Sequence, residues 1–251
     1  MPTEIFNKKD KKKKKRRKKP RLLQLIVIVA ALIGVYFLLT SQLFTIYNIK
    51  VEDNLRYSDY EIIDMAGVRA GDNLFKTRSS AVKKALMEDP YFESVNISRE
   101  LPDTLVIKVK EKAGLLAVPL SGSYAIIDED GKVLEMSDST QGCTELAGVT
   151  LESGEPGRSA VPVETDLFSD AMQLVTAMEK NGLFFIRMEV TDTTDELYIF
   201  DSLCYKGTKE GLIENMESVK SILYDLNLKE ISRGVITVGS DGYASFSPLT
   251  E

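Results

Sequence analysis

The sequence predicts an α+β protein: a single transmembrane helix followed by two small extracytoplasmic modules. Three observations predict it. An apolar run, Leu22–Leu39, follows a dense basic block. Alternating and helical periodicities then succeed one another as strand, helix, helix, strand, strand across residues 44–112. A further set of strand and helix patterns fills 113–251, where short turns imply a mixed α/β unit with a largely antiparallel sheet.

The overall charge of −6 hides an asymmetry. Of 32 Lys and Arg and 38 Asp and Glu, residues 1–21 hold twelve basic and two acidic, so the tail is +10 and the remainder −16. Within "LLQLIVIVAALIGVYFLL" only Gln24 is strongly polar, and Leu43 and Phe44 extend the run. As a helix it spans roughly 27 Å at about 1.5 Å per residue. "LLTSQLF" offers no small-residue cleavage site, so the segment reads as a retained anchor over 22–43 rather than a signal peptide. Each Lys or Arg costs a few kcal/mol to place in the bilayer interior, so the tail stays cytoplasmic and everything after about Gln42 lies outside. The same tail suits contact with anionic membrane lipids, and its position beside the anchor explains it without nucleic acid.

With no histidine in the chain, Ser-His-Asp, Cys-His and histidine-ligated zinc chemistry are excluded, leaving only Ser-Lys or carboxylate chemistry open. No glycine-rich phosphate loop or metal-binding carboxylate loop occurs, and no cofactor or metal is expected. Cys143 and Cys204 lack metal-site spacing; a disulfide between them is permitted outside the cell, and sequence leaves it open.

In the first module "FTIYNIKVED" alternates Ile46, Asn48 and Lys50 with Tyr47, Ile49 and Val51, as in a strand with one buried face. Ser58 and Glu61 have capping-box spacing, Ile62, Ile63 and Ala66 form a stripe, and Gly67 closes the helix. Val82, Ala85 and Leu86 share a face of a second helix that Pro90 stops. Val95, Ile97 and Leu101, then Leu105, Ile107 and Val109, alternate on the two arms of a hairpin turning at Pro102-Asp103.

"VEDNLRYSDYEIIDMAGVRAGDNLF", "DPYFESVNISRELPDTLVIKVKEK" and "YAIIDEDGKVL", in this order behind a tail and an anchor, resemble the POTRA domain of the FtsQ/DivIB cell-division proteins. The resemblance covers residues 44–136. It implies a domain that helps bring the protein to the division site and carries over no individual contact residue.

In the second module Asp130-Gly131 turns one hairpin, and the Gly-, Ser-, Thr- and Pro-rich stretch from Ser137 to Asp166 reads as an extended surface connection. Asp166 is placed to cap a helix with the stripe Leu167, Ala171, Leu174, Val175, Met178 and the stop Gly182. "LFFIRMEV", "ELYIF" and "LCYKG" are strand candidates. Ile213, Met216, Val219, Ile222 and Leu223 mark one long helix packed on them. "GVITV" and "YASFS" form a last hairpin ending at Pro248.

That closing segment is similar to the C-terminal end of FtsQ/DivIB proteins, where edge strands receive a segment of a small coiled-coil partner. The resemblance therefore implies a partner-binding site at Gly242, Tyr243, Ala244, Ser245, Phe246 and Pro248. Tyr243 and Phe246 suit either an interface anchor or a cover over the domain's own core.

The expected layout is a basic tail (1–21), a transmembrane helix (22–43), a POTRA-type domain (44–112) and a β domain (113–251). By resemblance, the chain is a non-enzymatic divisome scaffold at the septal membrane. FtsB/DivIC-like and FtsL-like single-pass proteins are its implied partners, together with the septal peptidoglycan synthesis machinery. The contrasting class is an anchored envelope enzyme or substrate-binding module, against which the missing nucleophile-base pairs weigh. A POTRA-bearing transporter would need barrel strands that the chain does not contain.

Overall fold

The computed structural model describes residues 21–239 and 242–249, with side chains from Leu23 onward. The expected basic tail, apart from Arg21, lies outside the described residues. Helix α1 (Arg21–Leu39) is 19 residues long and leaves its large apolar side chains uncovered. No helix among the described residues is by itself long and apolar enough to cross a membrane. Residues 22–43, expected as one spanning helix, fold as α1 followed by a 3-10 turn at Gln42–Phe44, not as one continuous helix.

The first domain is built as its periodicities dictate. Strand β1 (Asn48–Glu52) is followed by α2 (Asp59–Ala66), α3 (Ser79–Leu86), β2 (Phe92–Glu100) and β3 (Thr104–Glu111). The sheet order is β1-β3-β2, with β1 parallel and β2 antiparallel to β3. Ile62, Ala66, Val82 and Leu86 from the helices bury against Val95, Leu105, Ile107 and Val109. The Ser58 hydroxyl accepts from the Glu61 N–H, the Glu61 carboxylate accepts from the Ser58 N–H at 2.8 Å, and Gly67 closes α2 at φ 65°. Ser58→Ala is expected to cost about 1 kcal/mol, read as a lowered thermal midpoint. Leu101 departs from the expected arm: it sits in the hairpin turn and is 62% exposed, because β2 ends at Glu100.

The second domain is a nine-stranded mixed sheet backed by helices on one face. Its strands are β4 (Leu116–Leu120), β5 (Ser123–Ile127), β6 (Val133–Ser137), β7 (Thr144–Ala147), β10 (Arg187–Glu189), β11 (Asp195–Phe200), β12 (Leu203–Gly207), β13 (Gly234–Val238) and β14 (Ala244–Ser247). The short pair β8 (Leu151–Ser153) and β9 (Val161–Pro162) stands apart. The order is β14-β13-β12-β11-β10-β7-β4-β5-β6, with five antiparallel and three parallel pairings. Helices α4 (Thr165–Asn181), α5 (Lys209–Glu214) and α6 (Met216–Leu228) bury Leu174, Met178, Leu212 and Val219 against Leu146, Leu197, Tyr205 and Ile236.

Several expectations are corrected here. The stretch read as a surface connection contains β7, which pairs with both β4 and β10 in the middle of the sheet. Helix α4 starts at Thr165 with Glu164 as its N-cap residue, so Asp166 lies in the first turn instead of capping. The single long helix breaks at Asn215, whose side-chain amide donates to the Gly211 carbonyl at 3.0 Å. Of "LFFIRMEV" only Arg187–Glu189 is strand. Cys143 and Cys204 are both free. Cys143 enters β7 and Cys204 lies on β12; three strand spacings, roughly 14 Å, separate them, about twice the Cα reach of a disulfide.

The two domains are clasped. Lys112 Nζ donates to Asp128 Oδ2 at 2.5 Å, and Arg56 Nη2 to Glu135 Oε1 at 3.0 Å. The Arg56 guanidinium lies over the Tyr91 ring at 4.0 Å, and its backbone N–H donates to Glu111 at 2.6 Å. Burial alone would push this guanidinium down, but Tyr91, Glu135 and Tyr57 together hold it above its ordinary value. The first domain thus sits over the β4–β6 end of the face opposite the helices, where Ala117, Ile126 and Cys143 form a small second core.

Candidate functional site

A nine-stranded sheet has two ends, and the chain treats them differently. At one, the 157–160 segment covers the start of β6: the Val133 N–H donates to the Arg158 carbonyl and the Gly157 N–H to the Val133 carbonyl, both at 2.8 Å. A bridge between Lys132 and Ser159 continues the cover. This cover takes the outward donor and acceptor of Val133 out of an edge that would otherwise recruit another strand. At the other end, no strand among the described residues pairs with the outer side of β14.

Register shows which groups β14 leaves open. It pairs antiparallel with β13, Val235 opposite Ser247, Ile236 opposite Phe246, Thr237 opposite Ser245 and Val238 opposite Ala244. One register step further, the Gly239 N–H donates to the Tyr243 carbonyl at 3.0 Å. Bonded pairs alternate with unbonded ones, so Tyr243, Ser245 and Ser247 bond inward. The N–H and C=O groups of Ala244 and Phe246 therefore point outward. Pro248 follows in the same parity and lacks an N–H, which ends the donor row. Gly242, at φ 78°, donates to the Gly239 carbonyl at 3.0 Å and sets the turn into the strand.

The two expected anchors part company. Phe246 is half-buried against the domain core, and its ring covers Gly234, where an added Cβ would overlap it. Tyr243, 74% exposed, stands on the opposite side of the strand beyond the turn. All six expected site residues thus lie along one edge, and the strand residues among them take two orientations: Ala244 and Phe246 toward the helices, Tyr243 and Ser245 toward the open face. The missed elements of this site are the covered start of β6 and the outward parity of Ala244. A run of strand residues fixes neither.

The open face beside this edge is polar and internally paired. Lys206 Nζ and the Tyr198 hydroxyl both donate to Glu196 at 2.5 Å, and Arg187 pairs with Glu189 at 2.8 Å. Lys206 and then Tyr198 hold the Glu196 carboxyl below its usual range, while that same bond, with burial, pushes Tyr198 up to about 12. These groups neutralise one another instead of forming a nucleophile with its base. Ser80 and Lys83 do have S-x-x-K spacing on α3, yet both are exposed and no hydrogen bond joins them among the described residues. No group of three or more His, Cys, Asp or Glu among the described residues is placed to hold a metal. What the edge can do is accept a strand: it offers backbone hydrogen bonds in a row.

The comparisons with known proteins agree with this architecture. Residues 44–112 match the family model described as POTRA domain, FtsQ-type. The chain is 26% identical over 208 residues to cell division protein DivIB of Clostridium acetobutylicum, covering 81% of this chain and 83% of that one. It is 25% identical over 209 residues to DivIB of Clostridium botulinum strain Hall, covering 81% of each. Cell division protein FtsQ of Corynebacterium glutamicum is 22% identical over 148 residues, 58% of this chain and 67% of the relative. With the strand and helix order of its first domain, the match at 44–112 and relatives that extend through the second domain, the chain carries an FtsQ-type POTRA domain and is similar over most of its length to the FtsQ/DivIB cell-division proteins.

Proposed function

We propose that this chain is a non-enzymatic, single-pass scaffold of the bacterial division machinery, and that β14 receives a strand from an FtsB/DivIC-like or FtsL-like partner. In this reading 1–21 is a cytoplasmic tail that contacts anionic lipid, 22–43 the span, and 44–112 and 113–251 two extracytoplasmic modules. Its work is to assemble and regulate septal cell-wall synthesis by holding partners at the septal membrane. The anchor joins α1 to the apolar Leu43 and Phe44, and the twelve basic residues before it set the orientation. Confinement to one membrane raises the effective concentration of partners held there, so a short strand contact suffices.

The observation that carries the reading is the open edge of β14, where Ala244 and Phe246 present their N–H and C=O groups outward, against a β6 edge whose start is covered by 157–160. Its test follows from parity. Ala244→Pro removes an outward N–H and leaves the inward bonds of Tyr243, Ser245 and Ser247 in place, a position where an edge strand tolerates proline. The expected outcome is an unchanged thermal midpoint with loss of the coiled-coil partner on co-purification from membranes. Full partner recovery by a folded Ala244→Pro chain would move the interface elsewhere.

A further inference from the structure

The end of the first domain nearest α1 gathers residues that are far apart in sequence. Asn73 does the gathering: its side-chain amide donates to the carbonyls of Leu39 at 3.1 Å and Ser41 at 3.2 Å, tying the 69–78 loop to the end of α1. The backbone continues the seam, with Leu74 N–H donating to Phe44 C=O at 2.8 Å and Ile46 N–H to Asp72 C=O at 2.7 Å. Tyr47 N–H donates to Asp103 C=O at 2.9 Å, which brings the β2–β3 turn to the same end. Arg99 completes it, donating to the carbonyls of Leu74 at 2.8 Å and Thr77 at 2.9 Å with its guanidinium 5.9 Å from the Phe75 ring.

This arrangement exposes apolar and basic groups side by side. Leu43 is 61% exposed, Tyr47 68%, Phe75 37% and Leu101 62%, each within the stitched region. Arg69, Lys76 and Arg78 are exposed on the same loop, and none of the three forms an ion pair among the described residues. On the open sheet face of this domain the lysines are paired instead: Lys50 with Glu100, Lys108 with Asp53 and Lys110 with Glu93. The one acid within the loop, Asp72, accepts from the Arg69 N–H. With Asp72 on the loop and Asp103 in the turn against Arg69, Lys76, Arg78 and Arg99, this end keeps a net positive charge around its apolar and aromatic side chains, the composition that settles at a lipid interface.

We propose that this end of the domain seats on the outer membrane surface: Leu43, Tyr47, Phe75 and Leu101 enter the headgroup boundary while Arg69, Lys76 and Arg78 bind anionic lipid headgroups. The proposal rests on the anchor reading, because α1 leaves the domain from this same end and delivers it to the bilayer. Seating at both the Asn73 clasp and the patch fixes the domain's tilt, and with it the height at which the second domain is held.

The chain contains no tryptophan, so single introduced tryptophans report position without background. The full chain would be reconstituted into vesicles of phosphatidylcholine with phosphatidylglycerol, with bromine on one acyl chain as the quencher. Tyr36→Trp reports on α1, Phe75→Trp and Leu101→Trp on the patch, and Leu55→Trp on the far end of β3, roughly 25 Å away beside Glu111. The expected result is emission from F75W and L101W falling about twofold in brominated lipid, for rings about 5–10 Å into the boundary, with L55W unchanged. Reversal of Arg69, Lys76 and Arg78 to Glu is expected to relieve the F75W quenching. Quenched Y36W with unquenched F75W and L101W overturns the patch alone and leaves it to a protein partner. Unquenched Y36W overturns the anchor reading and the seat with it. Equal F75W quenching in phosphatidylcholine alone overturns the assignment to anionic headgroups.

Discussion

Lys112→Met is expected to cost about 3 kcal/mol of folding stability and to loosen the two domains from one another, leaving Arg56 as the remaining bridge. Asp128 is only 1% exposed and Lys112 16%, so the pair bridges the domains out of reach of most water. Asp128 Oδ1 accepts from the N–H groups of Asp130 at 3.0 Å and Lys132 at 2.8 Å, which leaves Oδ2 to Lys112. Removing the lysine strands a buried carboxylate, and breaking a buried pair from one side costs about 3–5 kcal/mol, toward the low end where water reaches the cation. Asp128→Asn in the K112M background is expected to recover part of the loss, because the turn N–H bonds remain and the unpaired charge is gone. The hydrogen bond from Lys112 to Asp128 outweighs burial and raises the lysine's pKa. A raised folded pKa stabilises below the unfolded value of about 10.4 and ceases to do so as pH climbs through the folded one. The lysine's contribution to the clasp is therefore complete at neutral pH and is lost in alkali. Urea unfolding followed by tyrosine fluorescence measures the loss; a variant as stable as the parent would show that the domains do not depend on the bridge.

Much of the first domain was legible because each of its signals is local. Ser58, Glu61 and Gly67 fix α2 with no tertiary help, and the alternation of Leu105, Ile107 and Val109 names the buried side of β3. Leu101 misled because alternation does not say where a turn begins. In the second domain β7 was lost to composition: Thr144–Ala147 is four residues amid Gly, Ser and Pro, and only pairing on both sides makes it central. Asn215 breaks a helix that hydrophobic spacing carries straight through, since Met216 and Val219 stay on the buried side across the break. The candidate edge was legible as a place and not as a geometry. Sequence put six residues at the C-terminus, but which amides face outward depends on the partner strand β13, and which aromatic faces inward depends on Gly234.

Gly234→Ala is expected to release β14 while the rest of the sheet stays folded, and so to abolish partner capture if β14 receives a strand as proposed. Gly234 opens β13 at φ 150°, its N–H donates to the Ser202 carbonyl at 2.8 Å, and a Cβ there would overlap the Phe246 ring and crowd the Ser247 carbonyl. Neither obstacle yields easily. The ring is packed against the core, and the carbonyl belongs to the residue opposite Val235 in the ladder. Overpacking of this kind costs about 1–3 kcal/mol, and at an unsupported edge the least costly relief is to peel the strand away. Every 1.4 kcal/mol spent restoring β14 before a partner can pair with it weakens binding about tenfold. Tyr243→Ala supplies the contrast: this exposed side chain is expected to leave stability within about 0.5 kcal/mol while removing an aromatic contact from the partner. Amide exchange separates the two, with β13–β14 protection lost in G234A and kept in Y243A. If G234A lost that protection and still captured the coiled-coil partner at parental affinity, the ordered edge would not be what the partner reads.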